Sequence, residues 1–298
     1  MFKRINKKGE LTTQQIVILI ILIVSFALIL FFIFRLNLGR ETDEEICHNS
    51  VVARGSSIIP TEALPLKCQR QYVCLSADGS CEQMTKPTII EVKTEEEVYK
   101  ALAEDMSNCW WMFGEGKVNY VGSDFVPENY CSICSQIAFD DSVNEEIFEN
   151  SGNFDKKEFY SYLAEAERSD GETYLSYLNL NGFQNYPSEF GAVDLTKQHY
   201  SLMGISSDVS TWGWIGVVGG TAGVVTAGIV LLPWTGGLSM VGALTIAGSI
   251  VGGGVTGGVL VAPVIRGESG LEYIPPSLIE VNSKEFDDLN CESINTAS

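Results

Sequence analysis

The chain reads as a membrane-anchored α+β protein: a disulfide-stapled ectodomain, an N-terminal transmembrane helix and a C-terminal Gly-rich transmembrane helical hairpin. Three observations predict this. Three long apolar stretches occupy residues 16–34, 212–232 and 238–264. All eight cysteines, Cys47, Cys68, Cys74, Cys81, Cys109, Cys131, Cys134 and Cys291, lie outside them. If the first stretch crosses outward and the next two form a hairpin, every thiol sits on the side where disulfides form and persist. Finally, charge is partitioned: residues 1–40 carry +5, residues 41–210 carry −19 and residues 211–298 carry −5.

The resulting layout is a basic cytoplasmic N-terminus (1–15), a transmembrane signal anchor (16–37), an acidic Cys-rich extracytoplasmic domain (38–210), a Gly-rich transmembrane hairpin (211–264) and an extracytoplasmic tail (265–298). An acidic ectodomain repels phosphate backbones, which excludes nucleic acid as a partner. The anchor sequence IVILIILIVSFALILFFIF is long enough to span a ~30 Å hydrocarbon core. It exceeds the apolar region of an ordinary secretory signal, and no small-x-small cleavage site follows it. Lys3, Arg4, Lys7 and Lys8 precede it, while Glu41, Asp43, Glu44 and Glu45 follow shortly after. The positive-inside rule therefore places the N-terminus in the cytoplasm.

The opening KKGELTTQQ before a long apolar run resembles archaeal type IV pilin-like (class III) signal segments. That resemblance implies prepilin-peptidase cleavage after Gly9, with Glu10 standing where that class often has Gln. The wider layout resembles uncharacterised membrane-anchored surface proteins of archaea, a likeness that brings no activity with it.

In the ectodomain, residues 51–60 read as extended chain, and Pro60, Pro65 and Pro87 break any long helix. The run from Cys68 through Cys74 to Cys81 predicts a strand, a turn at Asp78-Gly79 and a second strand. Thr94 and Glu97 have capping-box spacing, and Val98, Leu102, Met106 and Cys109 recur at helical intervals, so a helix buries Cys109 and ends at Gly114 and Gly116. Trp110, Trp111, Met112 and Phe113 are read as core. A second helix opens at Asp155 with Glu158, stapled by Phe154 on Phe159, and stops at Ser169-Asp170-Gly171. Residues 173–180 suit either strand or helix.

Cys131-Ser-Ile-Cys134 is the one enzyme-like motif. A C-x-x-C serves redox chemistry when a strand delivers its first thiol to a helix N-terminus, and it serves zinc when a second ligand pair joins it. Neither context is evident, so the pair is read as structural. A weak thiol oxidoreductase reading through Cys131 and Cys134 stays open, but no catalytic residue, cofactor or metal is expected. His48 and His199 stand apart from any recognisable nucleophile, and Asp140-Asp141 and Asp287-Asp288 are read as surface. The last cysteine, Cys291, is expected to bond to an ectodomain cysteine, with Cys47 preferred.

In the hairpin, Gly216, Gly220, Gly223, Gly248, Gly252, Gly254 and Gly258 fall at G-x-x-x-G spacings that allow helices to approach closely in lipid. The expected partners are the lipid bilayer, an extracellular protein and, through the hairpin, further copies of the chain. The leading functional expectation is a multi-pass cell-surface interaction or structural protein. The alternatives are a membrane-active or oligomerising protein acting through the hairpin, and a pilin-like surface subunit.

Overall fold

A computed structural model describes residues 13–35, 42–56, 64–121, 129–180, 191–206, 228–230, 240–247, 250–251, 254–255, 259–267, 271–289 and 291–293. The chain divides into two compact units, Met1–Thr42 and Asp43–Ser298.

The first unit contains helix α1 (Thr13–Arg35). Its side chains are described from Gln15 to Phe26 and at Leu28, and all are exposed. The large apolar ones are between 44% (Ile16) and 64% (Leu22) exposed. Consecutive helical residues point in all radial directions, so the exposed apolar side chains lie on every side of this stretch. Among the described residues, no helix is long and apolar enough to cross a membrane.

The second unit is mixed α+β. It opens with α2 (Asp43–Ser56) where extended chain was expected over 51–60. Three acids in the first turn, Asp43, Glu44 and Glu45, and Arg54 in the last turn match the helix dipole. Cys47 and Val51, one turn apart, are its buried residues. Strand β1 (Gln71–Ser76) and strand β2 (Thr88–Glu91) follow. Of the expected strand–turn–strand over 68–81, the first strand and the turn at Asp78-Gly79 form, and the second strand does not. Ser76 Oγ accepts from Gly79 N and Asp78 Oδ1 accepts from Ser80 N, folding residues 76–80 into a side-chain-closed turn. The chain then runs on and re-enters beside β1 in parallel, with Val73 opposite Thr88.

Helix α3 (Glu95–Met112) forms as its sequence signals. Thr94 Oγ1 accepts from Glu97 N at 3.2 Å. The Glu97 carboxylate accepts from Lys93 N, one residue upstream of a standard capping box. Val98, Leu102, Met106, Cys109 and Trp110 are buried, and Phe113 caps the end. Gly114 follows at φ +78°, a conformation that strains any other residue. Strand β3 (Asn129–Phe139) returns parallel to β1, so β2, α3 and β3 form a crossover that lays α3 on one face of the sheet.

Asp140 caps the short α4 (Asp141–Glu146), and β4 (Asn153–Asp155) leads into α5 (Lys156–Glu165). The cap at Asp155 and the Phe154–Phe159 staple (6.4 Å, edge-on) are present. The helix ends earlier than expected, at Ala166, because Glu167 bridges to Thr173. The undecided 173–180 segment holds one helical turn, α6 (Tyr174–Tyr177), capped by Thr173. Strand β5 (Ala192–Asp194) pairs with β4, and β6 (His199–Ser206) lies antiparallel to β3.

The largest departure concerns residues 211–264. Where two helices were expected, the described residues are strands: β7 (Gly228–Val230), β8 (Met240–Ala247), β9 (Ile250–Val251), β10 (Gly254–Val255) and β11 (Val259–Arg266). Gly254 lies in β10, and the other proposed helix-packing glycines (Gly216, Gly220, Gly223, Gly248, Gly252, Gly258) fall outside the described residues. The physical reason lies in the residue types. Each glycine costs a helix about 1 kcal/mol and an interior proline such as Pro263 about 3 kcal/mol. The Val, Ile and Thr between them fit a pleated surface.

Strand β12 (Glu272–Glu280), α7 (Lys284–Asp288) and β13 (Glu292–Ser293) complete the chain. The nine described strands of the main sheet run in the order β2-β1-β3-β6-β12-β11-β8-β7, with β13 pairing beside β1 on the same edge of β3. A large core fills the space around α3, and a smaller cluster on Cys131, Leu202, Ile274, Ile279 and Leu289 packs with Phe286 of α7.

Candidate functional site

The cysteines form four bridges: Cys47–Cys68, Cys74–Cys81, Cys109–Cys134 and Cys131–Cys291. Cys131 and Cys134 are therefore not partners. Side chains alternate across a strand, so residues three apart face opposite sides. Cys134 lies in the core under α3, and Cys131 lies in the cluster on the other side. Cys291 does bond to one of the seven cysteines that precede the glycine-rich stretch, but the partner is Cys131. The preferred partner, Cys47, is taken by Cys68, which approaches α2 after a separation of only 21 residues.

A polar site lies between α3 and the sheet. Ser135 Oγ donates to Asp105 Oδ2 at 2.8 Å. Ser201, opposite Ser135 across β3 and β6, also approaches this carboxylate, without a bond of good geometry. Burial pushes the Asp105 carboxyl up to about 6, against the pull of the two serines and with a small push from Glu44. His199 lies on β6 two residues before Ser201, its ring edge-on to Phe139 and its Nδ1 without a hydrogen-bond partner. Burial lowers it to about 4, and Lys156 adds to the effect. A nucleophilic relay places a histidine between serine and acid. Here Ser135 bonds the acid directly, so the hydroxyl holds the carboxylate in place.

Two other clusters satisfy themselves. At the carboxyl ends of the parallel strands, Ser76 donates to Asp78, Ser142 donates to Asp140, and Ala77 N donates to Ser142 Oγ. Asp140, expected on the surface, is 6% exposed because it caps α4. Among the described residues, no group of three or more His, Cys, Asp or Glu could hold a metal ion. At the end of α3, His48 stacks on Trp111 at 4.1 Å and bonds its carbonyl through Nδ1. Tyr177 donates to Glu115, and the Arg168 guanidinium lies 3.4 Å from the Tyr177 ring centre. Burial raises the Glu115 carboxyl, but bonds from Lys117 and Tyr177 overcome this and hold it below the usual range. These contacts tie α2, α3 and α6 together.

Among the described residues, exposed apolar side chains also lie on the sheet face opposite α3, at the β2 end. The register aligns Ile89 with Cys74 and Ala138, and Tyr72 with Gln136 and Tyr200. Tyr72 is 49% exposed and Ile89 42%. The Arg70 guanidinium sits 5.1 Å from the Tyr200 ring centre. Tyrosine and arginine are among the residues enriched in binding hot spots. The cysteine pattern holds no hint of this stripe, because it depends on which strands become neighbours.

The fold and its bridges define a disulfide-stapled α+β protein. No family model matches the chain, and no curated protein or solved structure matches it.

Proposed function

We propose that this is an extracytoplasmic interaction protein held at the cell membrane by α1, with its basic N-terminus in the cytoplasm. The observation that carries this reading is the described stretch of α1, apolar and exposed in every radial direction. Water would penalise that surface by about 25 cal/mol per Å², whereas lipid accommodates it. The four bridges support an oxidising compartment for the second unit. The covalent link from Cys131 to Cys291 supports the tail and the ectodomain sharing one side. With strands described inside 211–264, the proposed topology routes one crossing through the apolar run 16–34, whose side chains are described only from Ile16 to Phe26 and at Leu28.

Protease added to intact cells is expected to degrade residues 43–298 while a fragment containing α1 remains in the membrane fraction. Digestion only after lysis would overturn the topology. The N-terminal mass of the mature chain, measured on the same material, tests the pilin-like alternative, which requires a start at Glu10.

A second reading draws on the absence of Asp, Glu, Lys, Arg and His between Asp208 and Arg266. In the β8–β11 pairing, Leu244 aligns with Ala262 and Thr245 with Val261, so the register gives neither face of this ribbon a charged row. Water-facing antiparallel sheets alternate apolar and polar residues. This favours the membrane-active or oligomerising alternative, and dye release from vesicles that depends on residues 211–264 would promote it.

A further inference from the structure

We propose that β2 and the stripe beside it form a strand-addition site for an extended, basic segment of another protein. This rests on reading the second unit as an interaction module, and it names the surface and the chemistry of the partner.

Among the described residues, β2 has a strand on one side only, namely β1. Val92 N donates to Ser76 O. In parallel pairing alternate residues turn toward the neighbour, so the N–H groups of Thr88, Ile90 and Val92 face β1. Those of Ile89 and Glu91 face outward, where an added strand would meet them. Native sheets usually protect such an edge with charge or a bulge. Here Pro87 blocks the position before the strand, but the strand itself carries two isoleucines, and Ile89 is exposed. An added strand would lay an alternate side chain beside Ile89, within reach of the row containing Tyr72.

Charge selects the occupant. Between residues 82 and 97 stand Glu82, Glu91, Glu95, Glu96 and Glu97 against Lys86 and Lys93. Glu91 and the three glutamates opening α3 are all exposed. Lys93 is engaged, its Nζ donating to Ala77 O. A second copy of the chain would bring its own formal charge of −19 to this edge. Edge-to-edge pairing of two copies is therefore opposed by repulsion, whereas a segment with lysine or arginine at alternate positions is drawn in.

The test uses the full chain in zwitterionic detergent and a short synthetic peptide of alternating lysine and valine, with an alternating glutamate–valine peptide as control. The lysine peptide is expected to bind, to slow amide hydrogen exchange at Ile89 and Glu91, and to weaken with salt. Ile89→Pro removes one outward donor and is expected to weaken binding about tenfold, the equivalent of one lost main-chain bond and its contact. Ile89→Lys leaves the backbone donor in place and is expected to weaken binding of the lysine peptide through like charge and the lost isoleucine contact, which guards against misfolding of the proline variant. Absence of binding, equal binding of the two peptides, binding unchanged in both variants, or protection of the two amides by self-association without peptide would each overturn the proposal. None of these outcomes depends on which side of the membrane the unit occupies, which the protease experiment decides separately.

Discussion

Replacing Cys131 and Cys291 together by serine is expected to lower the folding free energy by about 5 kcal/mol, more than removal of any other bridge. This bridge joins residues 160 apart, and the entropy of the unfolded chain that a cross-link removes grows with the logarithm of the loop it closes. The same relation gives about 2 kcal/mol for Cys74–Cys81, whose separation is 7. The native state loses contacts as well. Cys131 is 2% exposed in the cluster with Leu202, Ile274, Ile279 and Leu289, and β13 pairs with Tyr130 and Cys131. Denaturant unfolding followed by tryptophan fluorescence, run on both double-serine variants in the same detergent, checks the order. Equal losses in the two variants would show that the long loop is already constrained when the chain is unfolded. Limited proteolysis is expected to cut the tail after Leu289 in the Cys131/Cys291 variant first.

Asp105→Asn is expected to stabilise the protein at pH 8 by about 3 kcal/mol and to have little effect at pH 4. A folded value of about 6 lies above the ordinary 3.8, so the folded state holds the Asp105 proton more tightly than the unfolded chain does. Stability from this group is complete below pH 3.8 and is lost as pH rises through 6. The gap between the folded and ordinary values corresponds to about 3 kcal/mol at neutral pH and above. Asparagine keeps an acceptor for the Ser135 hydroxyl without carrying the buried charge. Melting curves of the two proteins at pH 4 and pH 8 test this, and an identical difference at both values would refute it.

His199 acts in the opposite direction. Its folded value of about 4 lies below the ordinary 6.5, so its contribution is complete above 6.5 and is lost as pH falls toward 4. His199→Gln is accordingly expected to blunt acid unfolding over that window. An acid limb that stays as steep in the glutamine variant as in the parent would assign acid lability to other groups.

What can be read before folding is local. Thr94 announces α3 because a cap and a 3.6-residue stripe are properties of adjacent residues. Asp155 and the Phe154–Phe159 staple announce α5 for the same reason. The stripe also puts Cys109 on the buried face, where it meets Cys134. Helix α2 escapes a reading that gives Pro60 and Pro65 too long a reach upstream and counts the acidic first turn at Asp43–Glu45 only as topology.

The sequence by itself determined the charge partition, the apolar N-terminal run, the even set of cysteines and the helices whose caps and stripes are contiguous. These follow from composition and from neighbours a few residues apart. Only the tertiary structure decided that β2 runs parallel to β1, that Cys131 and Cys134 part to opposite faces, that Cys291 reaches β3, and that the glycine-rich stretch contains strands. Each is a pairing between distant segments, and its free energy depends on register and on which face is buried. A glycine-and-valine run serves a lipid helix or a sheet about equally well until a neighbouring strand supplies hydrogen bonds. Eight cysteines likewise admit many pairings until the sheet brings particular ones within bonding distance. The stripe of Ile89, Tyr72 and Tyr200 belongs to the same class, since four strands must align before those residues share a surface.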